Sequence, residues 1–199
     1  MKTLEKYKNK HRIKSSRLQG YDYSQNGMYF VTICTKEREH FFGKVKNGKM
    51  VLNNIGKVAY QFWQEISQHF PFVRLDTCQI MPNHIHLIVE INVGVQFIEP
   101  ANKIKNKSGF DKSNPYKKRI KNNPMLLNKI TLGKIIRYFK AKSSNEIKKQ
   151  IEFWKFSWQR NYYDHIIRNE IELNKIREYI ILNPQQWERD INNIENLWM

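Results

Sequence analysis

Hydrophobic and polar positions along the chain change period several times, and each change predicts an element. Residues 28–35, MYFVTICT, are β-branched and aromatic and predict a strand. A hairpin is expected next, with HFFGKV and KMVLN joined at Asn47-Gly48, a dipeptide suited to a tight two-residue turn. Over 54–69, Ile55, Val58, Ala59, Phe62, Trp63 and Ile66 recur at spacings of three and four and predict an amphipathic helix. Residues 72–80 and 84–91 predict strands flanking Met81-Pro82-Asn83. A helical pattern returns over 129–150, with Ile130, Ile135, Ile136 and Phe139 apolar and Lys134, Arg137, Lys140 and Lys142 basic. Trp154, Phe156 and Trp158 alternate, so 152–158 is expected to be extended. Residues 169–182 predict a last helix, ended by Pro184. This order predicts an α+β fold, an antiparallel sheet with helices packed on it, rather than the strict alternation of a doubly wound sheet. No internal repeat is visible.

Two stretches escape this periodicity, and both are basic. Residues 93–128 carry Lys103, Lys105, Lys107, Lys112, Lys117, Lys118, Arg119 and Lys121, and predict a long basic loop. Residues 2–17 set Lys2, Lys6, Lys8, Lys10, Arg12, Lys14 and Arg17 against a single Glu5. The expected organisation is a basic arm over 1–18 and one domain over 19–199 with a basic insertion at about 93–128. The whole chain of 199 residues has 35 Lys and Arg against 18 Asp and Glu, a net charge of +17, and 13% aromatic residues. Many aromatics with a large positive charge fit a polyanion whose bases can stack. Arg12, Arg17, Lys134, Arg137, Lys140, Arg160, His165 and Arg168 are the candidate DNA contacts, with an ordinary solvated surface as the competing explanation. The N-terminus lacks the apolar core of a signal peptide, and no apolar run nears the roughly 18 residues of a membrane span. Cys34 and Cys78 form neither a disulfide framework nor a zinc spacing. A cytoplasmic, nucleoid-associated protein without membrane contact is expected.

The most informative segment is Met81-Pro82-Asn83-His84-Ile85-His86-Leu87-Ile88-Val89. Side chains alternate along a strand, so His84 and His86 share one side while Ile85 and Leu87 point into the core. The two imidazoles are expected on the solvent face, where they can hold a divalent metal or simply be surface histidines. In the last helix Leu173, Ile176 and Ile180 form a core stripe. Glu172, Lys175, Tyr179 and Asn183 follow by three, four and four along a neighbouring face. A tyrosine and an amide one turn apart suit a place beside a metal; a core-edge tyrosine and a helix C-cap are the competing readings.

The Met-Pro-Asn-His-Ile-His strand, taken with other segments in order, resembles a known family. Those segments are Gly20-Tyr21-Asp22-Tyr23, Tyr29-Phe30-Val31-Thr32-Ile33-Cys34-Thr35, residues 158–170 (WQRNYYDHIIRNE) and Tyr179-Ile180-Ile181-Leu182-Asn183-Pro184. Together they resemble the REP-associated tyrosine transposases, members of the HUH group of single-strand DNA transposases with one catalytic tyrosine. The resemblance runs from about residue 17 to 190 and leaves out 93–128. It implies a ferredoxin-like, RRM-like sheet with helices on one face. It implies a metal, Mg²⁺ or Mn²⁺, on His84 and His86, with Asn183 as third ligand where insertion-sequence relatives typically have Gln, and Tyr179 as the nucleophile. The implied activity is endonuclease and strand transfer through a 5′-phosphotyrosine, on single-stranded or hairpin DNA from palindromic repeats, by a monomer or homodimer. The alternatives are a catalytically silent nucleic-acid-binding module and a metal-dependent phosphodiester hydrolase using activated water.

Overall fold

The computed structural model describes residues 6–7, 10–11, 17–92, 130–151, 155–190 and 192–193. The expected 93–128 loop and Arg12 lie outside these residues, and of the arm only a short antiparallel pairing of Lys6–Tyr7 with Lys10–His11 is described.

The β-branched and aromatic run over 28–35 is strand β1 (Gly27–Cys34). The hairpin follows as β2 (Gly43–Lys46) and β3 (Lys49–Leu52), and its turn has φ of 50° at Asn47 and 67° at Gly48. Positive φ at both positions is what a turn matched to strand twist requires, and Asn-Gly adopts it at little cost. Helix α1 (Asn54–Gln64) begins where the Asn53 side chain accepts from the Gly56 amide at 2.9 Å, an N-cap that satisfies one orphan donor. The single helix expected over 54–69 is divided at Glu65, and α2 (Ile66–His69) continues it with Ile66 still fully buried. Strands β4 (Val73–Ile80) and β5 (His84–Ile91), helix α3 (Leu132–Ile151), strand β6 (Tyr163–Ile167) and helix α4 (Glu170–Leu182) complete the described elements, with a 3₁₀ segment over Asn183–Arg189.

Strands β4, β5, β1 and β6 form, in that order, a four-stranded antiparallel sheet. With α1 and α3 as its two crossovers, this is the β-α-β-β-α-β order of a ferredoxin-like fold. The α+β expectation is borne out. One face carries Tyr29, Val31 and Ile33 of β1 and Ile85, Leu87, Val89 and Ile91 of β5 against Val58 and Trp63 of α1 and Ile135 and Phe139 of α3.

Three expectations need correction. Residues 155–158 are not a strand, and 152–154 lie outside the described residues. Phe156 and Trp158 alternate because both rings insert beside Phe42, at 5.8 and 5.2 Å, and Trp158 makes only one bridge, to Thr35. The fourth strand is instead β6, whose side chains divide between two apolar layers, Ile166 on the α1–α3 side and Ile167 on the other. Finally, the helices do not share one face. Helix α4 lays Leu173, Ile176 and Ile180 over Phe30, Ile88 and Ile167 on the opposite side. It is pinned by a two-pronged ion pair, Arg177 Nε to Asp76 Oδ1 at 3.0 Å and Nη2 to Oδ2 at 2.6 Å. Asp76 sits where the β4–β5 register slips between Leu75 and Cys78, a bulge that re-aims its side chain. The face expected to meet solvent is therefore covered, and no helix among the described residues is long and apolar enough to cross a membrane.

Candidate active site

His84 and His86 do lie on one side of β5, but they are buried, 0% and 1% exposed, beneath α4 and the 3₁₀ segment. This corrects the solvent-face expectation: alternation fixes the side, whereas burial depends on what packs there. Their Nε2 atoms converge to 3.0 Å. The Asn83 amide donates from Nδ2 to the carbonyls of Arg38 at 2.9 Å and Asn192 at 2.7 Å. Its oxygen must then face His84 Nδ1, at 2.8 Å, and an amide oxygen only accepts. His84 thus carries its proton on Nδ1 and leaves Nε2 as a bare lone pair. His86 Nδ1 is held at 2.8 Å by Thr32 Oγ1, its cross-strand partner on β1. Such outer partners orient imidazoles for a metal. Burial pushes the His84 pKa well below its ordinary value, with the neighbouring His86, Arg38 and His40 adding to the effect. Burial likewise lowers that of His86 to about 4, against the opposing pull of Asp190. Both rings are neutral at pH 7 and available as ligands.

The residue that sequence reasoning missed is Asp190. Its carboxylate closes a group with His84 and His86 in which the ligating atoms all lie within 4.8 Å of one another. Oδ2 lies 3.7 Å from His84 Nε2. With His84 neutral, this contact is an alignment of donors rather than an ion pair. Asp190 sits at the end of the 3₁₀ segment, where neither strand nor helix period marks a residue. The one available signal was its being a carboxylate in a basic chain.

Tyr179 Oη lies 3.3 Å from His86 Nε2, its ring edge-on to Phe30 and 40% exposed. Desolvation, and then the Asp190 charge, push its pKa up to about 12. Asn183, one turn on, is buried; its Nδ2 donates to Asp190 Oδ2 at 2.8 Å, and its Oδ1 has no partner. Of the expected helix face Glu172, Lys175, Tyr179 and Asn183, Tyr179 and Asn183 reach the site, Lys175 is exposed, and Glu172 turns to His165 Nε2 at 2.7 Å and the Arg168 amide at 2.8 Å.

The candidate DNA contacts fall in two places. Arg17, Lys134, Arg137, Lys140 and Arg160 line one cleft beside α3. His165 is engaged with Glu172, and Arg168 is exposed beyond the end of β6.

Two neutral imidazole nitrogens and a carboxylate suit a divalent cation, and the orphaned buried Asn183 oxygen is a further donor awaiting a partner. The residues fit a metal.

Comparison with known proteins gives several matches. A Haemophilus influenzae protein of uncharacterised function is 40% identical over 180 residues, covering 90% of this chain and 92% of its own. A second protein of that organism, provisionally named a REP-associated tyrosine transposase, is 26% identical over 165 residues, covering 82% of this chain and 73% of its own. Among solved structures, a REP-associated tyrosine transposase bound to a REP hairpin superposes with a TM-score of 0.48 at 12% identity, over 87% of this chain and 74% of that one. A Deinococcus radiodurans protein provisionally described as a transposase gives 0.42 at 14%, over 83% and 95%. The family model described as transposase, IS200 like, matches residues 23–125, a span that includes both histidines and stops before Tyr179. Because that match takes in just over half of the chain, the protein belongs to the IS200-like transposase family.

Proposed function

We propose that this chain is a metal-dependent endonuclease and strand transferase on unpaired or hairpin DNA, acting through a phosphotyrosine on Tyr179. The observation that carries the reading is the position of the Tyr179 hydroxyl, 3.3 Å from His86 Nε2 at the rim of the His84–His86–Asp190 group. His84, His86 and Asp190 would hold a divalent ion, Mg²⁺ or Mn²⁺, with the Asn183 oxygen as a further donor. When bound, such an ion would neutralise charge on the scissile phosphate and orient it.

The remaining chemistry belongs to the chain. Tyr179 oxygen attacks phosphorus; the bond from phosphorus to the 3′ oxygen breaks; the phenol proton ends on the departing 3′-hydroxyl. The new phosphotyrosine retains the energy of a phosphodiester, so another 3′-hydroxyl can reverse the step and join strands. Thr32 and Asn83 hold the imidazoles, and Phe30 holds the tyrosine ring edge-on. The relative provisionally named a REP-associated tyrosine transposase supports palindromic repeat DNA as the substrate class.

The test is to incubate labelled hairpin DNA carrying unpaired flanks with the wild-type chain and with Tyr179→Phe, Tyr162→Phe and Tyr163→Phe in Mg²⁺ or Mn²⁺. A denaturant-stable protein–DNA adduct should be lost only in Tyr179→Phe. Cleavage without any adduct would establish water as the nucleophile, and loss in Tyr163→Phe alone would move the nucleophile to β6.

A further inference from the structure

The five basic side chains gathered beside α3 take no part in the chemistry above. They line a cleft of about 700 Å³ together with Trp158 and Tyr162, and no carboxylate is among its lining residues. The first turns of α3 supply Gly133, Lys134 and Arg137, and the segment 158–162 forms the facing wall. Arg17 closes one end: its Nη2 donates to Tyr162 Oη at 2.6 Å, and its guanidinium lies 4.9 Å over the Tyr162 ring. Gly133 leaves room for it, since a Cβ there would meet Arg17 Nη2 at 3.1 Å. Lys140 has a different part from the other four. Its ammonium donates to the carbonyls of Gln159 and Asn161, so it positions the wall rather than facing a ligand.

We propose that this cleft holds the unpaired DNA strand that continues from the scissile site, with phosphates on Arg17, Lys134, Arg137 and Arg160 and a base against Tyr162 or Trp158. Five clustered cations outweigh the buried carboxylate nearby, Asp164, and leave a positive field that favours a polyanion, and the aromatic walls offer faces on which any base stacks. The volume is that of a small-ligand site, within the usual range of about 300–1,000 Å³, which admits a nucleotide-sized group.

Continuity with the active site follows from β6. It is the outer strand of the sheet; Tyr162, just before it, packs on the α1–α3 core, while Tyr163, its first residue, packs against Phe30 on the opposite face. Tyr163 is 52% exposed and packs edge-on to Phe30, the ring that also holds Tyr179. A strand leaving Tyr179 passes Tyr163, rounds the outer edge of β6 and enters the cleft at Tyr162. The proposal rests on the reading of the chain as a single-strand nuclease, but its binding test is independent of cleavage.

The test uses the full chain and the double variant Arg137→Glu/Arg160→Glu, both exposed positions, with thermal melting as the check on folding. Fluorescence anisotropy with labelled oligo-dT, repeated across salt concentrations, should show at least a tenfold loss of affinity. The salt slope should fall by about 1.4, since two single-strand phosphate contacts are worth about 0.7 each. Affinity for a blunt duplex should change far less. Unchanged oligo-dT affinity and slope would overturn the proposal. An equal loss for blunt duplex would reduce the cleft to general surface charge and overturn it too. Displacement of oligo-dT by poly-glutamate at equal charge would assign the cleft to an acidic protein. Failure of the wild-type chain to form an adduct would remove the nuclease reading while leaving the binding result to be judged by itself.

Discussion

At Asn83 one amide does three things: it sets the tautomer of His84, it ties Arg38 to the site, and it latches the carbonyl of Asn192. Removing it should loosen the imidazole without touching a ligand. Asn83→Ala is expected to weaken Mn²⁺ binding by about 10–100-fold, measured by calorimetry, the range typical of a lost outer partner. His84→Ala and His86→Ala should abolish metal-dependent cleavage outright. Because both rings are buried, each should also cost about 1–3 kcal/mol in urea melts, the penalty for leaving Asn83 or Thr32 unpaired. The carboxylate is tested by Asp190→Asn, which keeps the shape. Mn²⁺ affinity should fall tenfold or more with little change in cooperativity of unfolding, and unchanged affinity would take Asp190 out of the site.

Among the elements, α4 decides the site, because it brings Tyr179 and Asn183 over the histidine face. Its docking combines the Leu173–Ile180 stripe with the Asp76–Arg177 pair. Arg177, followed by the Thr77 hydroxyl and amide, holds the Asp76 carboxyl below its ordinary value of 3.8, despite burial acting the other way. The folded-state value is depressed, so this stabilisation is full above the unfolded value and is lost as pH falls through the folded one. Asp76→Asn should therefore be less stable than wild type near neutrality, and the gap should close as the pH drops below about 4. Urea titrations at several pH values measure this, and a constant gap would mean that the pair contributes only shape. Strand β6 shows why one element escaped the pattern: pressed between two apolar layers, it carries Ile166 and Ile167 side by side instead of alternating.

The whole chain carries a net charge of +17, and among the described residues acidic and basic groups are set apart in space. Asp76, Glu172 and Asp190 are spent on pinning α4, capping its start and completing the His group. A run of cations faces the cleft on the other side of the sheet edge. Binding of unpaired DNA should therefore fall steeply with salt, and unpaired strands should be preferred to blunt duplex at equal length. Anisotropy titrations give both, and equal affinity for random duplex would count against the two-sided path around β6.

Local pattern was enough to read the order of most elements, the shared side of His84 and His86, the stripe of α4, and the spacing that sets Asn183 one turn after Tyr179. Periods of two and of near four report which side of an element a residue occupies, and that is a property of the backbone alone. The family was legible for the same reason, since its marks are short runs within single elements. What packs against a side is not local. The burial of both histidines, the carboxylate of Asp190 and the gathering of Arg17, Arg137 and Arg160 each join residues distant in sequence. The first two became visible only once α4 and the segment after it had folded back over the sheet, and the third only once Arg17 and the 158–162 segment had closed on α3.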